Sequence, residues 1–451
     1  MKAAIQAQVR RAVAAAATLT GKRFGLLVAS SVVATSAIVA SAMTGTGGSG
    51  ALAALIGQSL ASDNTPVASA PPAAPEVEES SPSPSPEGGS PPPEASYAPE
   101  AAPEAAPEPA PEPVPKKPAE APAEAEPETG PVKHVFVISL ASPGYEQSLG
   151  AQSQMPYLSA TLRPQGELLS NYTLLSEGSL PNGIAAVSGQ PPNAATTAGC
   201  PGYEEFSSVK ASSNGVLTGA GCVYPVETLT LADQLTLDKL GWRAYADGMV
   251  DPEGKPADCV YPGPGEGSGS AQPGGYAASQ NPFVYFHSLL DLGDCSASDV
   301  PLDQLSKDLA RADKTPSYSF IAPTPCNAGA AGQCPAGTTE GAASADAFLS
   351  AWVPKILASP AYKADGLLVI AFSSTDPPVA GAPAPSGDPL RTGALLVSPF
   401  VTPNGTDSGA YNPYSLLRSS EELFALKPLG VAAGAKTKSF ATSLLQGNGG
   451  D

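Results

Sequence analysis

From Val132 to its end the chain predicts an α/β fold, with a mainly parallel central sheet flanked by helices. Two observations carry that reading. Short, unbroken apolar runs bounded by Gly, Pro or Asp recur along this part, as in strands buried on both faces. Stretches with helical spacing lie between them, and strands alternating with helices imply a parallel sheet.

The expected strands are residues 135–140 (VFVISL), 283–286 (FVYF), 318–321 (YSFI), 366–372 (GLLVIAF) and 394–397 (ALLV). The expected helices are 229–240, 344–357 (SADAFLSAWVPKIL) and 414–426 (YSLLRSSEELFAL). Sites in such sheets form at the carboxyl ends of strands, so the segments after Leu140 and Phe372 are the ones to inspect. One helix start faces this question directly. Ser179-Leu180-Pro181-Asn182-Gly183 opens an apolar stretch ending at Val187. Pro181 suits a first turn, Ser179 stands where an N-cap would, and free amides there are able to receive a phosphate. A serine in that place is more often a plain cap than a nucleophile.

The region before Val132 is of another kind. Residues 1–23 are a basic, cytoplasmic N-terminus, and residues 1–43 carry a charge of +5 from Lys2, Arg10, Arg11, Lys22 and Arg23 with no acid. Residues 24–42 (FGLLVASSVVATSAIVASA) form a run of 19 without a charge, enough to cross a bilayer as a helix. The basic flank stays inside, which sends the C-terminal part outward. Ala40-Ser41-Ala42 also fits a signal-peptidase site, so segment 24–43 is read as a single-pass anchor, with secretion after cleavage near Ala42 as the alternative. Residues 44–131 are rich in Ala, Pro, Glu and Ser, with repeats such as PEAAPEPAPEPVP, and read as a disordered linker. At roughly 3.1 Å per residue in polyproline II, about 60 residues span on the order of 190 Å. The last domain is 132–451.

Acidity narrows the partners. The formal charge of the whole chain is −19, and residues 131–451 hold −12 of it. Nucleic acid and anionic lipid both reward Lys and Arg, so neither is expected. The expected partners are the chain's own membrane, through 24–43, and a cell-envelope ligand or protein that the sequence does not identify. All six cysteines (200, 222, 259, 295, 326 and 334) fall in the last domain, which suits disulfides in an oxidising compartment. Nearest neighbours are the expected pairs, 200 with 222, 259 with 295 and 326 with 334, because each closes a short loop.

The last domain resembles the bacterial phosphoesterase family of acid phosphatases and phospholipases C, within the alkaline-phosphatase superfamily. The resemblance rests on KHVFVI at 133–138, SLPN at 179–182 with VSGQ at 187–190, NPFVYFHSL at 281–289, ADAFLSAWVPKILASPAY at 345–362 and YSLLRSSEELF at 414–424. It implies an alkaline-phosphatase-like sandwich. It also implies a Ser or Thr nucleophile, a divalent metal polarising the phosphoryl group, and histidines that assist proton transfer.

This chain departs from that pattern at nearly every reacting position. Where the family places Glu-Asn after the first strand stand Ala141 and Ser142, and where it places Asp-Glu after a later strand stand Ser373 and Ser374. A hard cation repays its dehydration only through oxygen ligands, so both pairs matter. The family's His-Pro-Ser reads Glu177-Gly178-Ser179, and Cys-Asn-Asp-Gly-His-Asp reads Cys326-Asn327-Ala328-Gly329-Ala330-Ala331. The histidine before Tyr-Ser-Leu-Leu is Pro413, and the one before Asn-Pro-Phe is Gln280. Ser179 remains as a vestigial nucleophile candidate, with Asn182 behind it. His134 and His287, the two histidines of the chain, occupy no family position and read as structural or surface residues. Asp376 offers one carboxylate and Glu177 one base. The expected function is therefore a degenerate phosphoesterase serving as a cell-envelope binding or interaction module, with no cofactor. The alternative is an active hydrolase of phosphate or other esters with Ser179 as nucleophile, and only that version calls for a divalent metal.

Overall fold

A computed structural model describes residues 131–268, 274–375 and 390–441. The expected anchor at 24–43, the linker up to residue 130 and Asp376 lie outside the described residues. Among the described residues no helix is long and apolar enough to cross a membrane.

The described residues form ten strands, in chain order β1 (His134–Ser142), β2 (Glu167–Leu169), β3 (Ser207–Ala211), β4 (Leu217–Ala220), β5 (Trp242–Ala246), β6 (Asp299–Pro301), β7 (Tyr318–Ala322), β8 (Gly366–Thr375), β9 (Ala394–Val397) and β10 (Gly405–Asp407). Eight of them make one sheet in the order β10-β2-β9-β8-β1-β7-β5-β6, and β3 and β4 pair separately. β8, β1, β7, β5 and β6 run parallel, while β9 is antiparallel to both of its neighbours. The mainly parallel α/β sheet expected from the apolar runs is therefore present.

β1 shows why those runs are unbroken. Val135 and Val137 pack into one core with Leu367 and Val369, whereas Phe136, Ile138 and Leu140 pack into a second with Leu368, Ile370 and Phe372. Successive side chains point to opposite faces, and both faces are covered. Four longer helices matter for the site: α1 (Ser179–Ser188), α2 (Leu231–Leu237), α3 (Ala342–Ala358) and α4 (Pro413–Leu423). Every residue of α1 after Ser179 is buried. Thr230 opens α2 and Asn412 opens α4 with reciprocal side-chain caps, which fixes where these helices begin.

One expected strand is corrected. Residues 283–286 do not extend a sheet; Pro282–Tyr285 form a 3-10 turn. Asn281 Oδ1 accepts from Phe283 N, Pro282 holds the helical φ, and the run is buried all round. A short apolar run looks the same in either conformation. β5 was not expected because Arg243 interrupts WRAYA, yet Arg243 escapes the core by pairing with Asp308. β2, β6 and β10 have three residues each, too few to show a period.

The three disulfides join Cys200 to Cys222, Cys259 to Cys295 and Cys326 to Cys334, the nearest-neighbour pairing.

Candidate functional site

β1 and β8 run longer than their apolar cores, through Ser142 and Thr375. Their carboxyl ends lie side by side, with Ala141 opposite Ser374 and Ser142 opposite Thr375. The two positions that should supply paired metal ligands are thus brought together. Ala141 is buried and has no donor atom. Ser373 is buried too, and its hydroxyl donates to Leu140 O at 3.5 Å.

α1 enters this region from the same end. Asn182 ties it there with its whole side chain. Its Oδ1 accepts from Leu175 N at 2.8 Å, and its Nδ2 donates to Ser176 O, Gly178 O and Ser373 O at 2.6, 2.8 and 2.9 Å. Thr375 N donates to Glu177 O at 3.0 Å, a second tie between β8 and the segment before α1. Asn182 therefore joins three segments and has no free group for a ligand.

Ser179 is the first residue of α1, not its cap. Gly178 takes the cap position with extended backbone and no side-chain bond, which corrects the capping expectation. Ser179 Oγ instead accepts from Gln280 Nε2 at 3.0 Å. An amide donor on that oxygen occupies a lone pair and removes no proton, the opposite of what a general base does for a nucleophile. Gln280 Oε1 has no partner among the described residues. Glu177 is exposed beside this helix start.

The other family positions fall nearby or are otherwise engaged. Pro413 opens α4 and, with Ser139, Asn182, Gly183 and Ser373, lines a cavity of about 20 Å³. That is room for one water at most. Asn327 Nδ2 donates to Asp247 Oδ2 at 2.6 Å, and Thr324 N to the same oxygen at 3.3 Å. Asp247 follows β5, two strands away from β1, and was invisible in the sequence because β5 itself was. Arg391 was missed as well. It precedes an antiparallel strand, and its guanidinium lies 3.8 Å over the Tyr145 ring, just beyond β1.

Neither histidine belongs here. His134 begins β1, at the opposite end of the sheet, with Nδ1 2.5 Å from Asp365 Oδ1. His287 lies between Glu205 and Asp291. Partial burial pulls its pKa down, but the hydrogen bonds to Asp291 and Glu205 outweigh that and hold it above the ordinary value. The donor set does not fit a divalent metal: the paired ligand positions are Ala141-Ser142 and Ser373-Ser374, without a carboxylate or imidazole, and the described residues contain no group of three His, Cys, Asp or Glu able to hold one.

The fold is a mixed α/β domain that brings the carboxyl ends of β1 and β8 to the Ser179 end of α1. A model of the phosphoesterase family matches residues 151–427, and the chain belongs to that family. No curated protein matches it. Similar solved structures include a protein in the alkaline phosphatase superfamily from Vibrio parahaemolyticus, at 14% identity over 66% of this chain and 69% of that one, with a TM-score of 0.39. Another is the lipoteichoic acid synthase LtaP from Listeria monocytogenes, at 10% identity over 71% and 77%, with a TM-score of 0.41. A third is a phosphonate monoester hydrolase from Silicibacter pomeroyi, at 12% identity over 71% and 78%, with a TM-score of 0.37.

Proposed function

We propose that this chain is a catalytically degenerate phosphoesterase that works as a binding or interaction module in the cell envelope. In this reading the basic N-terminus stays in the cytoplasm, segment 24–43 anchors the chain or is cleaved near Ala42, and the linker carries the last domain outward. One observation carries the loss of catalysis. The carboxyl ends of β1 and β8 are held in register, Ala141 against Ser374, and present no carboxylate where the family's metal is bound.

Electrostatic stabilisation of the developing phosphoryl charge is usually the largest catalytic contribution, and with these ligands gone nothing identified at the site supplies it. The Gln280 amide on Ser179 Oγ and the full use of Asn182 agree with a serine kept as part of the structure. The test is hydrolysis of p-nitrophenyl phosphate and of a phospholipid analogue by the purified chain with added calcium, magnesium, manganese or zinc. No turnover above the buffer rate is expected. Turnover that disappears in Ser179→Ala would establish the active hydrolase instead.

A further inference from the structure

Tyr261 is the one large hydrophobic side chain among the described residues that stays exposed, at 49%. Its ring stacks on that of Tyr203, with centroids 6.0 Å apart. It lines a groove of about 450 Å³ together with Tyr203, Val223, Pro262, Pro264 and Leu290. The exposed ring therefore belongs to a shared apolar lining and is not an isolated surface residue. None of the family's reacting positions lines this groove.

The groove is preformed. Gly265 N donates to Gly202 O at 2.7 Å and joins two of its walls. The Cys200–Cys222 disulfide and the bond from Cys222 N to Glu204 O, at 2.8 Å, hold the first wall. The Cys259–Cys295 disulfide ties the chain just before Tyr261 to the chain just after Asp291. Little ordering of the protein accompanies binding to such a surface.

The charges along the lining have one dominant sign. Glu204, Glu205 and Asp291 all line the groove, and the side chains of Glu205 and Asp291 are 72% and 59% exposed. His287 lies 2.9 Å from Glu205 Oε2 and 3.1 Å from Asp291 Oδ2, and one imidazolium still leaves the three carboxylates net negative. A second groove, of about 590 Å³, also includes Tyr261 in its lining and carries Asp251 and Glu266. Neither groove is lined by Lys or Arg. Charge complementarity selects a cation here and rejects phosphate, nucleic acid and acidic glycans.

The apolar lining then decides which cation. An ammonium is compact and strongly hydrated, and gains little from rings and prolines. A guanidinium is planar and weakly hydrated, stacks on an aromatic face and offers a fork to a carboxylate. Its methylene stem also covers apolar surface. We propose that this groove binds an arginine-bearing segment of a partner protein, with the guanidinium over Tyr261 and paired to Glu205 or Asp291. The proposal names a partner for the interaction role and rests on that reading, while the hydrolysis assay reports on the loss of catalysis alone, so the two fail separately.

The test is calorimetric titration of the full chain with acetyl-Ala-Arg-Ala-Arg-amide in about 0.15 M salt, which screens distant attraction to the acidic chain. Saturable binding is expected, about fivefold tighter than that of acetyl-Ala-Lys-Ala-Lys-amide. Tyr261→Ala changes no charge and should weaken the arginine peptide about fivefold, whereas Tyr261→Phe keeps the ring and should stay within about twofold. Glu205→Gln should weaken it about threefold, as expected of an exposed ion pair. Absence of saturable binding in the unaltered chain overturns the proposal. Equal affinity for the lysine peptide overturns it too, as does equal affinity in Tyr261→Ala, since either marks unspecific attraction to an acidic surface.

Discussion

The two ends of helix α1 differ in kind. At the Ser179 end, where the family does its chemistry, Asn182 spends its whole amide on Leu175, Ser176, Gly178 and Ser373, and the neighbouring cavity has about 20 Å³. At the Ser188 end a cleft of about 360 Å³ is open, and two buried polar atoms of residues lining it, Gln234 Oε1 and Thr228 Oγ1, have no partner among the described residues. Packing and hydrogen bonding fill the Ser179 end, while the open surface lies at the other end of the same element. A retained fold therefore says little about which of its surfaces is used.

The sharpest way to break this contrast is to remove the tie at the closed end. Asn182→Ala removes four hydrogen bonds in a buried place, and should cost about 3–4 kcal/mol by denaturant unfolding. A loss below about 1 kcal/mol would mean that Asn182 is not the structural tie described. Ser179→Ala should stay within about 1 kcal/mol, because it removes one partly exposed hydroxyl from a single bond.

The open end depends on pH. Glu421, which holds the cleft wall through Leu429, is buried without charge, and burial pushes its pKa up to about 9. Burial likewise raises Asp299 to about 7, against the hydrogen bond from Asn281 that lowers it. Both folded pKa values lie above the unfolded ones. The folded state thus binds more protons between them, and stability must fall as pH rises. The contribution is complete below about pH 4, the unfolded carboxylate range, and is lost as pH climbs toward 7 for Asp299 and 9 for Glu421. The slope is at most about 1.4 kcal/mol per pH unit for each carboxyl. Glu421→Gln should flatten the decline above pH 7 in thermal melts, and an unchanged slope would contradict the assignment. Smallest of all should be His287→Gln, within about 1 kcal/mol at neutral pH, because the ion pairs it breaks are largely exposed.

The sheet was legible in the sequence where strands are buried on both faces. β1, β7, β8 and β9 announce themselves as apolar runs because no solvent-facing side chain interrupts them. β5 was hidden by Arg243, whose charge is neutralised by Asp308, more than 60 residues away in sequence, and no local pattern reveals such a partner. The Phe283 run was misread because apolar content alone does not separate a buried 3-10 turn from a buried strand.

The candidate site was legible as a set of positions. Aligning the family's motifs put Ala141 and Ser374 at corresponding strand ends, and the register places them opposite one another. Their linkage was not legible. The Gln280 amide on Ser179, the fourfold use of Asn182 and the Asp247 carboxylate on Asn327 are contacts between distant segments, fixed only by packing. The cleft gave no sign at all, since its walls come from four separate stretches of chain.

The central claim is that the Ser179 end no longer carries out phosphoryl transfer. It is tested most directly by measuring bound metal and p-nitrophenyl phosphate hydrolysis on one preparation of the purified chain, beside Ser179→Ala. The expected result is no stoichiometric calcium, magnesium, manganese or zinc, and the same background rate in both proteins. One equivalent of tightly held metal, with hydrolysis that vanishes in Ser179→Ala, would contradict it.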